Sequence, residues 1–75
     1  MENKIKEIMS VVFETELSMI DDCSSIETIK NWDSLKHMML IAVLEEEFKI
    51  TFADDEILDM LSYSSILTIL KNKLN

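Results

Sequence analysis

Ser34 stands where a helix is expected to begin, directly after Asp33, a residue suited to capping that helix. Read locally, it is a plain helix-start residue beside its cap. The other residues able to do chemistry are scattered. His37 is the single histidine, one turn into the same helix and on its core side. With no second histidine and no neighbouring cysteine, it reads as a structural hydrogen-bond partner rather than a metal ligand. Cys23 is the single cysteine, so no internal disulfide is expected, and no basic group beside it would activate the thiol. Glu45, Glu46 and Glu47 could suggest acid–base chemistry, but without a pocket or a partner nucleophile they read as a solvated face or a docking rim. Asp54, Asp55, Glu56 and Asp59 lack the glycine and the oxygen spacing of a calcium loop, and read as a helix start favoured by the dipole. No nucleophile–base pair, metal cluster or cofactor motif stands out. The expectation is a protein that is not an enzyme and has no metal site.

The elements that position these residues follow from composition and period. Seventy-five residues make one domain, 1–75, and 48% of them are hydrophobic. A chain this short buries only ~60% of its unfolded surface, so its margin of stability is thin. Gly and Pro are both absent, which rules out glycine-rich phosphate cradles. Turns that need positive φ are expected to fall to Asn, Asp or Ser. Ile5, Ile8, Met9, Val12 and Phe13 recur at helical spacing and predict a helix over 2–16. Residues 17–32, rich in Asp, Ser and Thr, read as a long loop whose apolar residues hold it against the helices. A second helix is expected over 34–48. A short third follows over 55–61, capped by Asp54, and then a fourth capped by Ser62. Tyr63, Ile66, Leu67, Ile69, Leu70 and Leu74 form the buried stripe of the fourth helix. The predicted fold is all-α, a small four-helix bundle with three longer helices and one short one.

Charge narrows the partners. Seven basic against fifteen acidic side chains give a formal charge of −8. Such a surface disfavours nucleic acid and suits either basic protein surfaces or plain solubility. No apolar stretch reaches membrane-spanning length and no signal-peptide core is apparent, so a cytoplasmic monomer is expected.

The second helix carries the most information. Stepped at 100° per residue, His37, Leu40, Ile41, Leu44 and Phe48 cluster on the core side. The opposite side holds Leu35, Met39, Ala42 and Val43 with Lys36 and Glu46 among them, while Glu45 lies beside Ser34 on the flank. Either the long loop covers this apolar stripe, or it is a docking face with an acidic rim.

At this point the chain resembles the acyl carrier protein family. The resemblance rests on Asp33-Ser34-Leu35 followed by an apolar helix ending Leu44-Glu45-Glu46-Glu47-Phe48, with Trp32 directly before. The spacing to Phe52, the acidic Asp54-Asp55-Glu56 cluster and the final apolar helix extend it over essentially the whole chain. It implies an acyl-carrier-like fold in which the Ser34 hydroxyl receives 4'-phosphopantetheine from coenzyme A, transferred by a separate phosphopantetheinyl transferase. The arm's thiol would hold an acyl group and present it to successive enzymes. Asp33 would help position the modifying enzyme. A phosphodiester at a helix N-terminus also meets free N–H groups and the positive end of the dipole.

Leu35, Met39, Glu45 and Glu46 match positions that the family uses to meet partners, and Val43 continues their stripe. The implied partners are acyl ligases, synthases or transferases with basic docking patches. Lys36 and Met39 depart from the acidic residues frequent at their positions, which suggests a specialised pathway with a dedicated partner set. Met9, Met19, Met38 and Met60 are expected inside, where methionine either fills gaps or lets the core open for an acyl chain. Two alternatives stand beside this reading. One is an aminoacyl carrier of the D-alanyl kind, favoured over a peptidyl carrier because Gly-Gly before the serine is missing. The other is a helical interaction module that is never modified and binds one partner helix through Leu35, Met39 and Val43.

Overall fold

The computed structural model describes residues 2–74. Its helices are α1 (Glu2–Val12), α2 (Ser34–Phe48), α3 (Asp54–Asp59) and α4 (Tyr63–Leu74), with a 3₁₀ turn at Leu17–Met19 in the long first connection. The described residues contain no strand, only one isolated antiparallel bridge between Ser25 and Ser62. This is the small all-α architecture expected, three longer helices and one short.

α1 and α2 run antiparallel, as their ion pairs show: Lys4 meets Glu47 at one end and Glu14 meets Lys36 at the other, each at 2.9 Å. Ile5, Ile8, Met9, Val12 and Phe13 are buried as their spacing requires. They pack with Leu40, Ile41 and Leu44 of α2 and with Tyr63, Ile66 and Leu70 of α4 into a single core. Leu67 and Ile69 are only half buried and Leu74 is exposed, so the α4 stripe is narrower than expected. In the last turn of that helix Lys73 lies over the Phe52 ring while Leu74 faces outward. Met9 and Met60 are interior, but Met19 and Met38 are exposed, contrary to expectation. Met19 lies in the 3₁₀ turn, and Met38 lies on the flank of α2 rather than its core face.

Two helix ends depart from the expected boundaries for the same reason. α1 stops at Val12 instead of running to 16, because Glu14 takes a left-handed conformation with φ 52°. The Thr15 N–H then reaches back to the Ser10 carbonyl at 3.0 Å and the Glu14 N–H to the Val11 carbonyl at 3.3 Å, the paired bonds of a Schellman ending. α2 ends likewise, with Lys49 at φ 56° and the Ile50 N–H bonded to the Glu45 carbonyl at 3.1 Å. The positive-φ positions thus fall to Glu and Lys, not to Asn, Asp or Ser. A side chain carrying Cβ pays a steric penalty there that glycine avoids. Lys49→Gly is therefore expected to stabilise the fold by about 0.5–1 kcal/mol, even after the added freedom of the unfolded chain is counted. Thermal unfolding followed by circular dichroism should show the midpoint rising by roughly 3–6 °C.

α3 begins one residue earlier than expected, with Ala53 rather than Asp54 in the cap position, and it ends at Asp59. Alanine has no oxygen to offer, but the Glu56 carboxylate accepts from the Ala53 N–H at 2.8 Å, half of a capping box. The same carboxylate pairs with Lys73 of α4 at 2.9 Å. These contacts, the Ala53 N–H first and then Lys73, hold the Glu56 carboxyl below its ordinary value. At the start of α4, the Ser62 hydroxyl accepts from the Ser65 N–H at 3.1 Å, the expected cap.

The first connection is pinned at several points. Ile20, Ile29 and Trp32 are buried in the core. The Ile26 N–H donates to the Leu61 carbonyl and the Tyr63 N–H to the Ser24 carbonyl, both at 2.9 Å. Near its end, the Asn31 amide donates to the Phe13 carbonyl at 2.7 Å, satisfying a group left over where α1 ends.

Candidate functional site

The start of α2 is built by its two preceding residues. Trp32 is buried, and its indole stacks on Phe13 with ring centroids 4.6 Å apart. The indole N–H donates to His37 Nδ1 at 3.0 Å, and His37 Nε2 lies 2.8 Å from the Ile57 carbonyl of α3. Because the indole can only donate and the carbonyl can only accept, His37 is the tautomer with its proton on Nε2. His37 therefore links the first turn of α2 both to the preceding loop and to α3, a structural role of the kind expected.

Asp33 adopts an extended backbone and caps the helix, its carboxylate accepting from the Lys36 N–H at 2.8 Å. Its carbonyl accepts from the His37 N–H at 2.8 Å. Ser34 follows as the first helical residue and is exposed. Among the described residues its hydroxyl makes no hydrogen bond, and the N–H groups of Ser34 and Leu35 have no protein acceptor. The first turn of α2 carries no acidic side chain. Lys36 supplies a cation there, but it is shared with Glu14, whose carboxyl it holds below its ordinary value. The result is a solvent-facing hydroxyl at the positive end of a 15-residue helix, with two N–H groups left to meet an anion.

Leu35, Met39, Ala42 and Val43 are all exposed, so the long loop does not cover this stripe. Glu46 is exposed on the same side. Glu45 is placed elsewhere: it is half buried, and its carboxylate accepts from the Phe52 N–H at 2.9 Å, bracing the connection after α2. Sequence reasoning missed that bond, because a buried backbone N–H seven positions away leaves no mark in the residue pattern. It also missed Val11, exposed on α1 next to α2, and Asn31, whose amide ties the segment before α2 to the end of α1. Cys23 is exposed in the first connection. Among the described residues no three His, Cys, Asp or Glu side chains gather as a metal site would require, and no helix is long and apolar enough to cross a membrane. No protein-family model matches the chain, and no curated protein matches it.

Proposed function

We propose that this chain is an acyl carrier protein, modified on Ser34 with 4'-phosphopantetheine and serving enzymes of a specialised acyl pathway. The observation that carries the reading is the exposed Ser34 hydroxyl, free of hydrogen bonds among the described residues, at the start of a helix whose outer stripe is apolar. The residues present fit the group. A phosphodiester on Ser34 is favoured by the dipole of α2 and by the N–H groups of Ser34 and Leu35. Asp33 opposes it only partly, since its carboxylate is turned to the Lys36 N–H. When attached, the arm supplies a thiol that holds acyl groups as thioesters. The chain's own part is to fix the attachment point, which Trp32, His37 and Asn31 do through the bonds described, and to present Leu35, Met39, Val43 and Glu46 to partners. A phosphopantetheinyl transferase would load it, and acyl ligases, synthases or transferases with basic patches would use it. The acyl-carrier-like family assignment and a cytoplasmic setting belong to the same proposal.

The test is intact-protein mass spectrometry after incubation with coenzyme A and a broad-specificity phosphopantetheinyl transferase. The expected outcome is a gain of one phosphopantetheine by the wild type and none by Ser34→Ala, with both proteins folded. No gain by a folded wild type would remove the carrier reading.

A further inference from the structure

The stripe on α2 does not end on α2. Leu35, Met39 and Val43 are spaced four residues apart, and such a row tilts across the helix surface as it descends. It starts beside Ser34 and ends in the groove between α1 and α2. There a cavity of about 240 Å³ is lined by Lys4, Glu7, Ile8, Val11, Val12 and Val43. Val11 is 76% exposed, Leu35 70%, Met39 44% and Val43 39%. Folding does not call for a valine at position 11, since a β-branched residue on the open side of a helix weakens it slightly. One exposed aliphatic side chain means little, but four in a continuous row running into a cavity form a surface.

The charges around the row indicate what covers it. Four carboxylates, Glu7, Glu14, Glu46 and Glu47, stand against two ammoniums, Lys4 and Lys36. Both ammoniums are already paired, with Glu47 and Glu14. Glu7 and Glu46 pair with no lysine among the described residues, so the rim keeps a net negative charge. A second copy of this chain would bring the same rim against itself, each chain carrying a formal −8. An anionic lipid surface is repelled for the same reason.

We infer that the groove between α1 and α2, with the buried Ile8 and Val12 beneath it, Val11 and Val43 along its edges, Glu7 in its lining and Glu46 beside the α2 row, takes one amphipathic helix of a partner protein. That helix presents aliphatic side chains at four-residue spacing and lysine or arginine beside them. This deepens the docking part of the proposed function by adding α1 to the surface, and it stands whether or not Ser34 is modified.

The experiment titrates methyl-labelled protein, as wild type and as Ser34→Ala, with a synthetic helical peptide carrying leucine on one face and lysine on its flanks. A matched peptide has glutamate in place of lysine. Methyl shifts should concentrate at Val11, Met39 and Val43 in both proteins. The acidic peptide should bind at least tenfold more weakly, and so should the lysine peptide to Val11→Asp, whose unchanged core methyls report an intact fold. Shifts centred on Leu58 and Leu61, equal binding of the two peptides, or full affinity in Val11→Asp would overturn the inference. So would concentration-dependent shifts at Val11 and Val43 without peptide, which would assign the groove to self-association. Because Ser34→Ala cannot be loaded, binding by that variant separates the fate of this surface from the fate of the carrier reading.

Discussion

Phe13→Ala is expected to cost about 3–5 kcal/mol of folding free energy, because it removes a fully buried aromatic ring and leaves a cavity in the core. Part of that loss is the aromatic stack on Trp32, worth about 0.5–1.5 kcal/mol beyond area alone. A domain of this length has only some 4–11 kcal/mol to lose, at roughly 0.05–0.15 kcal/mol per residue. The substitution therefore removes roughly a quarter of the margin or more. Urea unfolding should show the midpoint falling sharply with little change in slope. A loss under about 1 kcal/mol would mean that the packing at the end of α1 matters far less than its burial indicates.

The second large effect concerns His37. Replacing it with leucine leaves two groups without partners at once, the Trp32 indole N–H and the Ile57 carbonyl. Trp32 is buried, so its N–H has no easy recourse to water. Each orphaned group costs about 1–3 kcal/mol, and a total near 2–4 kcal/mol is expected because Ile57 is only half buried. Trp32→Phe removes the donor, so the double variant should lose less than the sum of the single ones. The expected coupling is about 1–2 kcal/mol by a double-mutant cycle in urea. Additive losses would show that the two rings sit together without supporting one another.

These effects show which parts of the molecule were legible in its residues and which were not. The core face of α2 was readable because Leu40, Ile41 and Leu44 obey a period that only a helix produces. The start of α2 was readable because Asp33 is a chemical cap with a local partner. The end of α1 was not. Phe13 is buried and keeps the helical spacing, yet the helix has already stopped at Val12, since the left-handed turn falls on Glu14 and no glycine marks it. Side-chain period records which face a residue serves, not where the backbone turns. Met38 and Leu74 were misplaced for a related reason, as hydrophobicity alone does not separate an outward-facing position from a core one.

The candidate site divides the same way. Ser34 and the stripe of Leu35, Met39 and Val43 lie on one helix, so their relation is fixed by sequence spacing. The contacts that tie this helix to the rest of the molecule span longer separations: Asn31 to Phe13 and His37 to Ile57 near its start, and Glu45 to Phe52 near its end. Such contacts depend on how helices meet, which one sequence does not reveal. The groove beside Val11 is of this kind, since α1 and α2 each look ordinary alone and form a surface only when side by side.

Trp32 is the chain's only tryptophan, and its ring is fixed between Phe13 and His37, two residues before Ser34. The molecule thus carries an optical gauge at the seam joining α1, α2 and α3. Its emission should respond to any event that loosens that seam, and a helix laid in the groove or a group added at Ser34 can be followed by light alone, without a label.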